Sequence, residues 1–156
     1  MAGLRCAPVE DIDRQIVELL CTDGRMSFTD LGKRTGLSTS AAQQRVRRLE
    51  QRGVLRGYTA VVDHEAIGLP LTAFISIKPT DAAAPDDAPE RLAGITAIEA
   101  CHSVAGDENY ILKVRVATPG ALEALLGEIR STVNVSTRTT VVLSTPYENR
   151  PPGLPG

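Results

Sequence analysis

Apolar residues recur at helical spacing in the first third of the chain and alternate with polar ones over much of the rest. Ile12, Ile16, Leu19 and Leu20 predict a first helix from about Glu10 to Thr22, with Gly24 as its terminator. Its early acids, Glu10, Asp11 and Asp13, suit the positive end of a helix dipole and read as structural. Ser27-Phe28-Thr29-Asp30 fits a capping box opening a short helix through Thr35, with Leu31 turned inward. Thr35-Gly36-Leu37-Ser38 supplies a tight turn. A longer helix follows, capped by Ser38 and stopped at Gly53. Ala42, Val46 and Leu49 form its apolar stripe. Ser40, Gln44, Arg47 and Gln51 point the other way, with Gln43 and Arg48 on the shoulders.

After Gly53, Val54 to Asp63 reads as a turn followed by a strand, either a wing or a connector. Arg56 there is placed for a phosphate and Tyr58 for packing. From Leu71 the period becomes two: Leu71, Ala73, Ile75 and Ile77 alternate with Thr72, Phe74, Ser76 and Lys78 in a strand ended by Pro79. A loop from Asp81 to Asp87 leads to a short helix with Glu90, Arg91 and Leu92, stopped near Gly94. Strands from about Ile98 to Val104 and Tyr110 to Ala117 flank a turn at Gly106-Asp107-Glu108-Asn109. Thr118-Pro119 opens a helix carrying Leu122, Leu125, Leu126 and Ile129 on one face. Val135 to Leu143 is the last strand, and the Pro-rich tail from Pro146 is expected to fray, like the leading segment to Val9. The order βαββαβ predicts a ferredoxin-like unit with both helices on one face of an antiparallel sheet. A second copy of the domain is the economical cover for the other face, which predicts a dimer.

Charge divides the chain as the periodicity does. Residues 1–60 carry ten Lys or Arg against seven acids, whereas the remainder carries seven against twelve. A basic head on an acidic body is hidden by the overall charge of -2. With no Trp and two Phe, the cores must be aliphatic. Cys6, Cys21 and Cys101 are scattered and odd in number, so reduced thiols are expected. No apolar run matches a membrane helix and Met1 to Cys6 shows no signal-peptide pattern, which predicts a cytoplasmic protein without membrane contact.

Helix, short Gly-bearing turn, helix is the helix-turn-helix pattern, whose second helix lies in the DNA major groove. Gln reads adenine and Arg reads guanine bidentately, while small hydroxyls and helix N-terminal amides suit phosphate. Ser40, Gln43, Gln44 and Arg47 are the base-reading candidates. Ser38, Thr39, Arg45, Arg48 and Arg52 are the phosphate candidates. Arg45 lies close to the buried stripe, and anchoring an acidic residue is its alternative role. The expected partner is double-stranded DNA with a pseudo-palindromic operator, read by two helices of a dimer.

Leu37-Ser38, Arg45-Val46, Leu49-Glu50, Gly53-Val54 and Gly57-Tyr58, followed by a βαββαβ unit, resemble the Lrp/AsnC (feast/famine) family of transcriptional regulators. The resemblance runs from about Asp11 to Tyr147. It implies an α+β chain: an N-terminal helix-turn-helix (winged-helix-like) domain plus a C-terminal ferredoxin-like (RAM) domain. The expected divisions are 1–53 for DNA binding, 54–70 as connector, 71–147 for ligand sensing and oligomerisation, and 148–156 as a flexible tail. It further implies a homodimer assembling to an octamer or similar ring, and an amino-acid effector bound between dimers. The family's Gly-x-x-Asp pattern at the effector turn is met here by Gly106, but Asn109 stands where the family has aspartate. The effector candidates are therefore Gly106, Asp107, Glu108 and Asn109, with hydroxyls from Thr137, Thr139 and Thr140. Thr residues in a strand equally serve β-propensity, and a Gly-Asp-Asn turn equally serves backbone conformation.

No catalytic residue, metal site or cofactor is expected. His64 and His102 lack a second His or Cys at ligand spacing, and Cys101 points to the sheet face opposite His102. No GxSxG, P-loop or Rossmann glycine pattern occurs. Two alternatives stay open. One is a tetrapyrrole enzyme resembling the sirohaem decarboxylases, with His102, Lys113 and Arg115 facing the ligand. The other is an amino-acid sensor that does not bind DNA.

Overall fold

The second and third helices each begin at a serine whose side chain caps the backbone and end at a glycine with positive φ. The structure is a computed structural model, and it describes residues 10–81, 83 and 85–151. Expectations for the leading segment to Val9, for Cys6 and for residues 152–156 lie outside the described residues. Helices α1 (Asp11–Thr22), α2 (Phe28–Thr35) and α3 (Thr39–Gln51) are followed by β1 (Leu71–Pro79), α4 (Ala88–Leu92), β2 (Ile98–Ser103), β3 (Tyr110–Val116), α5 (Pro119–Val133) and β4 (Val135–Val141). The described residues form two units, one reaching Val61 and including the segment from Tyr147, the other Val62–Pro146.

In the first unit, Ile16, Leu20, Leu31, Ala42, Val46 and Leu49 form the core. Helix α1 ends at Thr22 as expected, but Gly24 does not take the left-handed conformation of a glycine stop. The last turn of α1 closes at Asp23, whose carboxylate accepts the Arg25 N–H at 2.9 Å. A Cβ at Gly24 would lie 3.5 Å from the Tyr58 ring, an ordinary contact. Ser27 caps α2 by accepting the Asp30 N–H, and its hydroxyl donates to the Asp30 carboxylate at 2.6 Å. Aspartate's short side chain thus meets the hydroxyl, where a capping-box glutamate reaches the backbone. Gly36, at φ 72°, turns the chain left-handed, and the Leu37 N–H returns to the Gly32 carbonyl.

Ser38 caps α3 through the Ala41 N–H at 3.2 Å. At the other end Gly53 takes φ 69°, the Val54 N–H donates to the Leu49 carbonyl and the Gly53 N–H to that of Glu50. Those two bonds are a Schellman closure, so α3 stops at the glycine that the sequence marked. Residues 56–63 form no strand, and no paired wing is seen among the described residues. Val61 is 83% exposed, and a strand without a ladder neighbour gains nothing from being extended.

The second unit is one antiparallel sheet of order β2-β3-β1-β4. Ala73, Ile75, Ile77, Leu112, Val114 and Val135 meet Leu92 of α4 and Leu122, Leu125 and Ile129 of α5 in a single aliphatic core. This is the ferredoxin-like arrangement that the element order predicts. The strands end slightly earlier than expected, at Ser103, Val116 and Val141. Thr118 caps α5 by accepting the Ala121 N–H, and Asn134 leaves it at φ 49°. The Tyr110 hydroxyl donates to Asp86 at 2.7 Å, tying the loop before α4 to β3.

Candidate nucleic-acid interface and effector turn

The outward face of α3 is set by what its other face buries. With Ala42, Val46 and Leu49 inside, Ser40, Gln44, Arg47 and Arg48 are exposed. Ser38, Thr39 and Arg52 are exposed at the two ends, and Gln43 is half-buried. Ser38 and Ser40 hydroxyls lie 3.1 Å apart, and the Thr39 hydroxyl donates to that of Thr29 at 3.4 Å. The N-terminus of α3 therefore carries a cluster of small donors beside the start of α2. Such a row of hydroxyl, amide and guanidinium groups is chemically equipped for base edges and phosphates.

Arg45 leaves the phosphate candidates. Its Nη1 lies 2.8 Å from Asp13 and 2.9 Å from Glu10, both at the start of α1. The hydrogen bonds that Arg45 donates to Asp13 and then to Glu10 hold the guanidinium above its ordinary pKa. Position near the apolar stripe decides this: the guanidinium reaches back to α1, not out to solvent. Tyr58 donates to Glu50 at 3.0 Å and its ring lies near Gly24, but it stays half-exposed and outside the core.

At the second candidate site the structure brings Gly106, Asp107, Glu108 and Asn109 into one turn. The Val104 N–H donates to the Asn109 carbonyl and the Asn109 N–H to that of Ile77, both at 3.1 Å. Asn109 thus supports the turn through its backbone. Asp107 is exposed, whereas Glu108 is partly buried and forms an ion pair with Arg138. The three threonines do not gather as one group. Thr137 and Thr139 share the helix-side face of β4, where Arg130 donates to Thr137 at 3.2 Å. Thr140 stands opposite Phe74 on the other face, because strand neighbours alternate. Arg138 was missed by the sequence reading. Only the strand register, which sets it beside Ser76 on that same face, exposes its link to the turn.

Of the residues considered for a tetrapyrrole, Lys113 and Arg115 are engaged by Glu99. Glu99, at the β2 irregularity, lies 2.6 Å from Arg115, 3.5 Å from Lys113 and 3.7 Å from His64. Burial pushes the Glu99 carboxyl up, but the Arg115 hydrogen bond and the Arg115 and Lys113 charges outweigh it and hold the group below its usual range. Cys101 stands opposite buried Leu112 and His102 opposite Ile111, so they face opposite ways. Cys21 and Cys101 are free thiols. Among the described residues no group of three His, Cys, Asp or Glu is placed to hold a metal ion, and no helix is long and apolar enough to cross a membrane.

A three-helix head with a polar reading helix, followed by a four-stranded α+β unit, defines a two-part regulator architecture. Comparison with known families gives the same division: residues 10–50 match the AsnC-type helix-turn-helix domain and residues 72–152 the Lrp/AsnC ligand binding domain. The chain belongs to the Lrp/AsnC family of transcriptional regulators. It is 54% identical to the HTH-type transcriptional regulator LrpA of Mycobacterium tuberculosis over 142 residues, covering 91% of this chain and 95% of that one. It is 39% identical over 140 residues to the leucine-responsive regulatory protein of Escherichia coli, covering 86% and 85%. A feast or famine regulatory protein from M. tuberculosis, solved in complex with L-methionine, superposes with TM-score 0.90 at 53% identity over 92% of this chain and 98% of that one.

Proposed function

We propose that the chain is a sequence-specific, DNA-binding transcriptional regulator whose C-terminal unit senses an amino acid. The observation that carries the proposal is α3 itself. Its apolar stripe is consumed by the helix-turn-helix core, and its outward face carries Ser40, Gln44, Arg47 and Arg48. We assign base reading to Ser40, Gln43, Gln44 and Arg47, and phosphate contact to Ser38, Thr39, Arg48 and Arg52. The division of labour proposed is DNA binding by 1–53, connection by 54–70, and sensing and assembly by 71–147. A dimer, closing the sheet face that carries Phe74, presents two α3 helices to a pseudo-palindrome in the cytoplasm. Further assembly to an octamer or a similar ring lets DNA wrap around it.

The effector proposal rests on the Gly106–Asn109 turn and on the relative solved with L-methionine. With Asn109 neutral, Glu108 is the partly buried carboxylate available for an effector ammonium once Arg138 releases it. The tetrapyrrole alternative loses its cations to Glu99, and the relatives carry the names of transcriptional regulators.

Selection of duplexes from a random pool by the full chain tests the DNA proposal. A recovered palindromic sequence that outcompetes its scrambled counterpart at physiological salt supports it. Recovery of no preferred sequence, or no binding, refutes it and favours a sensor without DNA.

A further inference from the structure

Asp13 is 5% exposed, alone among the described carboxylates in being buried. Its partner is not on its own helix: Arg45 Nη1 reaches across from α3 to Asp13 at 2.8 Å and to Glu10 at 2.9 Å. The side chains are graded in exposure, 7% for Asp13, 22% for Arg45 and 64% for Glu10, so the cluster runs from the core to the surface along the start of α1. Replacing a buried ion pair by apolar residues is often neutral or stabilising, so stability alone gives no reason for a carboxylate here. Orientation does. The remaining contacts of α3 with the core are made by Ala42, Val46 and Leu49, and aliphatic packing is non-directional. Such a stripe limits how far the helix lies from its neighbours more firmly than its rotation about its own axis. A guanidinium held by two carboxylates is directional and fixes that rotation at Arg45, between Gln44 and Arg47.

We infer that Arg45, clamped by Asp13 and Glu10, is a positioning residue: it sets the rotation of α3 so that Gln44 and Arg47 meet base edges, without touching DNA. The inference rests on the reading of α3 as the DNA-reading helix. Base recognition by bidentate side chains tolerates only about 0.5 Å or 10–20° of error, so a loosened rotation costs specificity before it costs folding.

The sign of one substitution separates positioning from phosphate contact. Removing an acid from a DNA-binding head ordinarily strengthens DNA binding, and doubly so if it frees an arginine for phosphate. The clamp requires the opposite. Asp13→Asn in the full chain is expected to weaken binding to a duplex selected by the wild-type protein by about tenfold. Binding to a scrambled duplex is expected to stay nearly unchanged, so the specificity ratio falls. Tighter or unchanged binding to the selected duplex would overturn the inference.

Arg45→Gln gives an independent readout should Asp13→Asn fail to melt cooperatively. Its affinity for the selected duplex falls, but the slope of log affinity against log salt stays at the wild-type value. A slope reduced by about 0.9 for each lost contact would mark Arg45 as a phosphate ligand and overturn the clamp. The double variant Asp13→Asn with Arg45→Gln is expected to bind no more weakly than the worse single variant, whereas additive losses contradict action through Asp13. A wild-type chain that selects no duplex would overturn the DNA-reading proposal, a failure visible before any variant is made.

Discussion

The Leu37 carbonyl oxygen lies 2.6 Å from the point where a Cβ on Gly32 would sit. Both sides of that contact are backbone, because the Leu37 N–H also donates to the Gly32 carbonyl at 2.9 Å. The close approach brings the turn against α2 and so sets where α3 begins.

Gly32→Ala therefore has no side chain to push aside and must open the turn. An overpacking cost of about 1–3 kcal/mol is expected, read as a lowered urea midpoint by circular dichroism. Gly36→Ala, with nothing within 4 Å of its Cβ, is expected to cost less, about 1 kcal/mol, from its φ of 72° alone. Equal stability of Gly32→Ala and wild type would contradict the geometry.

Glu99 gives the second unit a pH dependence. Its carboxyl sits below the ordinary range because Arg115 and Lys113 outweigh its burial, with His64 also 3.7 Å away. A depressed native pKa stabilises the fold above the unfolded value, about 4.3, and that contribution is lost as pH falls through the native value. Wild type is expected to exceed Glu99→Gln in urea midpoint at neutral pH, with the gap closing in acid. A gap independent of pH would show that Glu99 acts by shape, not charge.

Effector binding is testable by thermal melting of the full chain against each common amino acid. A ligand specific for the folded state at about 100 times its Kd adds about 2.7 kcal/mol. One or two amino acids are expected to raise the melting temperature, Glu108→Gln and Asp107→Ala to reduce that shift, and Arg138→Gln to enlarge it by freeing Glu108. Absence of any shift would refute an amino-acid effector.

Most of the fold was legible because its signals are local. Ser27, Ser38 and Thr118 announced their helices, Gly36 and Gly53 their ends, and the alternation from Leu71 its strand. Local signals also misled. Gly24 was read as a helix stop, yet Asp23 is the C-cap of α1 and Gly24 does not take the left-handed conformation of a glycine stop. Val54 to Asp63 has the composition of a strand, but composition does not supply a neighbouring strand. In the DNA-binding head, the wheel of α3 placed the exposed row correctly and flagged Arg45 as close to the core; its partners on α1 needed tertiary structure. At the candidate effector turn, spacing singled out Gly106 to Asn109, while the link of Arg138 to that turn and the separation of Thr140 from Thr137 and Thr139 depend on strand register.

The measurement that bears most directly on the central claim is the affinity of Arg47→Ala for the duplex that the wild-type chain selects, set against single-base variants of it. Arg47 is exposed at the middle of the outward face of α3. Loss of about 1–3 kcal/mol on the selected duplex, with relaxed preference at one base pair, is the expected result for a side chain reading guanine. An equal loss on every sequence, or none, would contradict a base-reading role for α3.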